Sequence, residues 1–137
     1  MTEIMINYWA VLVAAIASFV IGWIWHGPLF GRQWMKLSGM TPQKMKSMKM
    51  SPARSMTFGF IAMLVTAYVL AHFVDMLSVT TLGGAAQFAF WAWLGLVAPV
   101  QIGVWLWEGK PFNLFLLSTA YQLVVLIVMT GIVAVWA

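Results

Sequence analysis

The sequence predicts an all-α polytopic membrane protein, a four-helix up-down bundle, and three observations predict it. Of 137 residues, 64% are hydrophobic and only 7% charged, at a mean hydropathy of +0.95. Soluble domains carry about 25% charged residues, and ten formal charges are too few to cover a water-soluble core of this size. The apolar residues gather into four runs, each near the ~20 residues that cross a hydrocarbon core as a helix. The connections between the second and third and the third and fourth runs are short, which sets consecutive helices antiparallel.

The runs cover residues 8–25, 58–77, 85–107 and 112–136 of one transmembrane domain. The first opens with Glu3 and no Lys or Arg before it, and it continues past the small residues Ala15-Ile16-Ala17. It therefore reads as a retained span rather than a cleaved leader. The first connection, 26–56, is long and basic and carries Arg32, Lys36, Lys44, Lys46, Lys49 and Arg54. Ser78 to Gly84 and Glu108-Gly109-Lys110-Pro111 form the other two. In a four-span bundle the first and third connections share one side, so all seven Lys and Arg fall together. Positive charge resists translocation, which places that side in the cytoplasm and both termini outside. Tryptophans agree with this frame. Trp9 and Trp23 are 14 residues apart, as are Trp91 and Trp105. At 1.5 Å per residue each pair spans roughly 21 Å, matching belts inside the two faces of a tilted span.

The pI of 9.8 comes from this one basic segment, so anionic lipid headgroups are the expected partner, not nucleic acid. Met35, Met40, Met45, Met48 and Met50 lie there, and lysines alternate with methionines in Lys44-Met45-Lys46 and Met48-Lys49-Met50. The segment reads as an interfacial stretch, with thioethers in the acyl boundary, or as a basic loop that enforces topology. Cu(I) capture by the thioethers is a third reading that no Met-x-Met-x-Met cluster or accompanying Cys and His supports. With no cysteine, disulfides, iron–sulfur clusters and thiol nucleophiles are excluded.

Ala10, Ala14, Ser18 and Gly22 recur every four residues, a seam of small side chains that lets another helix approach closely. Gly95, Pro99 and Gly103 repeat that spacing in the third run, where Pro99 should kink the helix. No charge lies mid-span. Ser18, Thr66, Ser118, Thr119 and Gln122 are neutral polar groups within the spans, and Gln122, near the centre, needs a hydrogen-bond partner. A helix-to-helix bond is the ordinary reading, while Ser118 and Gln122 lining a solute path is the alternative. The two histidines belong to opposite faces, His26 ending the first span and His72 late in the second, too far apart to share an ion. No metal or cofactor is expected.

Trp23-Ile24-Trp25-His26-Gly27-Pro28 is similar to Trp105-Leu106-Trp107-Glu108-Gly109-Lys110-Pro111. Both close spans of the same direction, as a duplicated helix hairpin would. The match sets His26 and Glu108 at equivalent positions and suggests an interfacial polar pair.

The segment Gly22-x-x-Trp25-His26-x-Pro28-x-Phe30-Gly31-x-x-Trp34-Met35 resembles the hallmark of domain-of-unknown-function family 1761, small four-span proteins found mainly in bacteria. Trp93-Leu94-Gly95-Leu96, Glu108-Gly109-Lys110-Pro111 and Tyr121 to Trp136 extend the resemblance over nearly the whole chain. Members often carry Tyr in place of His26 and Asn in place of Ser118. The family has no established activity, so the resemblance implies a four-span fold and a membrane location, not a chemistry. The functional expectation is a non-enzymatic inner-membrane accessory, scaffold or self-associating subunit, with the Ala10–Gly22 seam as the contact. A small oligomeric channel or carrier for a neutral or weakly polar solute is the alternative.

Overall fold

A computed structural model describes residues 6–39, 43–44 and 52–136. Among them there is no strand, and four helices are long and apolar enough to cross a membrane. The first, α1 (Tyr8–Ile24), runs into a five-residue π-helical turn, Trp25–Leu29, and then a short helix α2 (Gly31–Ser38). The second span is α3 (Pro52–Met76). The third is broken into α4 (Leu82–Ala92), a second π-turn (Trp93–Val97), α5 (Ala98–Gln101) and α6 (Gly103–Leu106). The last span is α7 (Phe112–Val135). The chain is a multi-pass membrane protein.

Local chemistry sets the ends. Asn7 caps α1, its side-chain oxygen accepting from the N–H groups of Trp9 (3.1 Å) and Ala10 (3.3 Å). The same side chain donates through Nδ2 to the Trp136 carbonyl at 3.0 Å and so ties the start of α1 to the end of α7. After α3, Ser78 adopts a left-handed conformation (φ 55°), with Val79 N–H donating to Val74 O (2.8 Å) and Ser78 N–H to Asp75 O (3.2 Å). This is the Schellman stop, made with serine where glycine is usual. Thr81 then caps α4, its hydroxyl oxygen accepting from Gly84 N–H. Gly109 (φ 69°) supplies the left-handed residue before α7. α3 starts at Pro52, ahead of the expected Phe58, since a proline is tolerated in a first turn where its missing N–H would have no partner.

α7 is the central helix and packs against α1, α3 and α4, while α1 and α3 also pack on each other. The core joins Ala10, Val11 and Ala14 of α1 to Ala67, Leu70, Ala71 and Val74 of α3. Ala85 of α4 and Val125, Met129, Val133 and Ala134 of α7 complete it. These positions crowd toward the end that holds Asn7, Asp75 and Trp136, here the terminal end. The opposite, basic end holds Arg32, Lys36 and Lys110 and is looser. The small-residue seam is consumed inside the chain: Ala10, Ala14 and Ser18 are fully buried and Gly22 lies against Tyr121. It is therefore not a free surface for self-association. Close backbone approach within the monomer uses it first, because dispersion contact is what holds helices together in lipid.

The third span differs from the rest. Only 6% of its apolar window is buried, against 33% for α7. It leans on α7, with the Phe73–Phe88 ring contact (5.9 Å) linking it to α3 near the terminal end. The expected break at Pro99 is present, and its form is a π-turn just upstream. Widening the helix by one residue per turn accommodates a ring that would clash with the carbonyl four residues back. The first π-turn, Trp25-His26-Gly27-Pro28-Leu29, shares Trp-x-Gly with Trp93-Leu94-Gly95 of the second. The duplicated segments expected from sequence, 23–28 and 105–111, fold differently: the first is the π-turn and the second a left-handed turn at Gly109. Trp9, Trp23, Trp91 and Trp105 are all exposed, as residues of interfacial belts are.

Candidate functional site at the basic end of the bundle

The π-turn after α1 builds this site. Gly27 (φ −112°, ψ −105°) reverses the path, Phe30 N–H returns to Trp25 O at 2.9 Å, and Trp34 N–H reaches Phe30 O at 2.8 Å. α2 then starts hard against the turn. A Cβ on Gly31 would stand 2.7 Å from the His26 carbonyl oxygen, so only glycine fits. A Cβ on Gly22 would meet the Tyr121 hydroxyl at 2.8 Å. Close approach of backbone to backbone thus demands glycine at 31, while at Gly22 the neighbour is a side-chain tip that can turn.

Around that turn five rings meet. Trp25 lies 4.6 Å from Phe30 and 5.9 Å from Tyr121, centroid to centroid. His26 sets its edge against Tyr121 (4.9 Å) and Trp34 (5.4 Å). Such pairs are worth about 0.5–1.5 kcal/mol each beyond area burial, so the cluster holds the turn without many hydrogen bonds. His26 Nδ1 lies 3.1 Å from Gly22 O. A carbonyl only accepts, so Nδ1 carries the proton and Nε2 is left as an acceptor when the ring is neutral.

The structure does not join His26 to Glu108. Glu108 is exposed and its carboxylate makes no ion pair or hydrogen bond among the described residues, while His26 is occupied by its aromatic neighbours. Arg32 and Lys36 are exposed on α2, and Trp34, Met35 and Leu37 are half-buried. That division makes α2 (31–38) an amphipathic helix, as the interfacial reading of the basic connection expects; most of the alternating Lys-Met stretch lies outside the described residues. Lys44 is exposed and donates to Gly39 O (3.1 Å), and Arg54 is exposed near the start of α3. Lys46 and Lys49 lie outside the described residues. No group of three His, Cys, Asp or Glu able to hold a metal occurs among the described residues.

Mid-span, Gln122 finds a partner that sequence reading had not singled out: Gln101 Nε2 donates to Gln122 Oε1 at 2.6 Å. Two amides on either side of one helix hairpin were the available signal. Trp93 Nε1 donates to the Thr119 carbonyl at 2.7 Å, so both bonds pin the broken third span to α7. Ser118 is half-buried and its hydroxyl makes no hydrogen bond among the described residues. Ser18 and Thr119 donate back to their own helices, at Ala15 O and Phe115 O (2.7 Å each).

Two clefts flank the aromatic cluster. A groove of about 520 Å³ lies between α2 and α7, lined by Trp25, Phe30, Gln33, Lys36, Leu37, Asn113, Leu116, Leu117 and Ala120. A smaller cleft of about 270 Å³ opens between α1 and α3, with Ser18, Gly22, Met63 and Tyr121 among its walls. At the terminal end, Asn7, Asp75, Ser78 and Thr80 line a pocket of about 190 Å³.

No curated protein and no solved structure matches the chain. A family model described as "Protein of unknown function (DUF1761)" matches residues 9–134, which include every ring of the basic-end cluster and both π-turns. The chain belongs to that family.

Proposed function

We propose that the protein is a non-enzymatic accessory or scaffold subunit of a bacterial inner membrane that works by lateral association through its third span, with both termini outside and the basic end in the cytoplasm. The single observation behind this is the one-sided seating of that span. Leu94, Leu96 and Val100 are exposed beside Gly95 and Pro99, and nothing within 4 Å would meet a Cβ on Gly95. Small residues beside an uncovered apolar ridge allow a second helix to come close, and with the α1 seam consumed internally the third span offers such a face. The carrier reading loses its main residue, since the Gln122 amide oxygen is engaged by Gln101.

The chain has no cysteine, so a single Leu96→Cys reports contacts cleanly. Oxidative cross-linking in native membranes should give a discrete covalent adduct, either a dimer or one heterologous partner, while the buried Ala14→Cys gives none. Absence of any adduct from positions 94, 96 and 100 would refute association through this span.

A further inference from the structure

The groove between α2 and α7 has the chemistry of a lipid site, on observations independent of the third span. Its polar lining is made of Lys36, Gln33 and Asn113, with no Asp or Glu, and Trp25 forms part of its wall. The Trp25 indole N–H is buried and finds no acceptor among the described residues. A buried donor is destabilising while it stays unpaired. Asn113 belongs to the first turn of α7, a 24-residue helix that opens with no side-chain cap and no acidic residue. The positive end of its dipole therefore adds to the Lys36 ammonium at the groove mouth. From Asn113 to Ala120 the wall advances about 10 Å along α7 and becomes apolar through Leu116 and Leu117.

We infer that this groove binds one anionic glycerophospholipid. Its phosphodiester lies by Lys36, Gln33 and Asn113, an ester oxygen takes the Trp25 N–H, and an acyl chain follows Leu116 and Leu117 toward the bilayer centre. A free phosphate would use the first part of the groove and none of the second; a lipid uses both. Phe30 and Tyr121, packed on Trp25, hold that indole in place and give the motif residues a job in shaping the groove.

Native mass spectrometry of the full chain in detergent tests this, with added phosphatidylglycerol, phosphatidylethanolamine or glycerol 1-phosphate. One phosphatidylglycerol per chain should be retained in preference to the zwitterionic lipid. Lys36→Gln, an exposed change that leaves the fold alone, should weaken retention about fivefold. Lys110→Gln, a cation at the same end that does not line the groove, should leave it unchanged. Leu116→Gln, at a half-exposed position, should weaken it as well. Equal losses from Lys36→Gln and Lys110→Gln would mean diffuse charge attraction and overturn the site. Glycerol 1-phosphate binding as tightly as the lipid, or Leu116→Gln without effect, would overturn the lipid assignment.

Discussion

Gly31→Ala tests whether the basic-end turn is built as described. The added methyl carbon would stand 2.7 Å from the His26 carbonyl oxygen and 3.2 Å from its carbon. Relief requires the two to part by several tenths of an ångström. The obstacle is backbone, held in the π-turn by the Phe30-to-Trp25 hydrogen bond, so it does not swing aside as a side-chain tip would. Overpacking of this kind costs about 1–3 kcal/mol. Alanine recovers at most about 1 kcal/mol of helix propensity, and less at the first position of α2. A net loss of about 1–2 kcal/mol is expected. Gly95→Ala is the matched control: it meets nothing within 4 Å and should be neutral or gain about 0.5–1 kcal/mol. Gly22→Ala falls between, because the Tyr121 hydroxyl that it strikes ends a side chain able to turn. Reversible denaturation in detergent, followed by tryptophan fluorescence, gives the three values. If Gly31→Ala is as stable as the wild type, or Gly95→Ala loses as much, the close approach of Gly31 to His26 is wrong.

Gln101→Leu and Gln122→Leu should each destabilise, and the double variant should lose less than their sum, with a coupling of about 1 kcal/mol typical of hydrogen bonds between membrane helices. Strict additivity in that cycle would mean that the amides do not pair. Ser78→Gly removes the strain of a left-handed serine and should raise the denaturation midpoint, worth about 0.5–1 kcal/mol; a lower midpoint would contradict the turn. Asn7→Ala strips the α1 cap and the tether to Trp136 together, an expected loss of about 1–2 kcal/mol in the same assay. For orientation, Ser78→Cys should react with an impermeant thiol reagent applied to intact cells and Ser47→Cys should not, and the reverse pattern would invert the proposed topology.

Much of the architecture was legible because lipid imposes it. With no water to satisfy peptide groups, an apolar run of about 20 residues forms a helix almost regardless of detail, and short connections make neighbours antiparallel. The helix break at Pro99 also followed from the residue alone, through a ring that cannot donate. What escaped were the pairings. Gln122 was seen to need a partner, but its choice of Gln101 depends on how a broken third span leans against α7. The likeness of 23–28 to 105–111 suggested equal folds and a His26–Glu108 pair. His26 is engaged instead by Tyr121 and Trp34, because a π-turn and Gly27 fold α2 back onto the bundle.

The amino-acid sequence by itself determined the solvent, the all-helical class and the membership of a membrane family, since each rests on composition and local pattern. Tertiary structure alone decided that the alanine seam of α1 is spent inside the chain, that the third span is covered on one side only, and that Trp25, Lys36 and Asn113 share a groove. Those outcomes depend on which side of a helix meets which neighbour. A run that is apolar all round carries no moment to announce it.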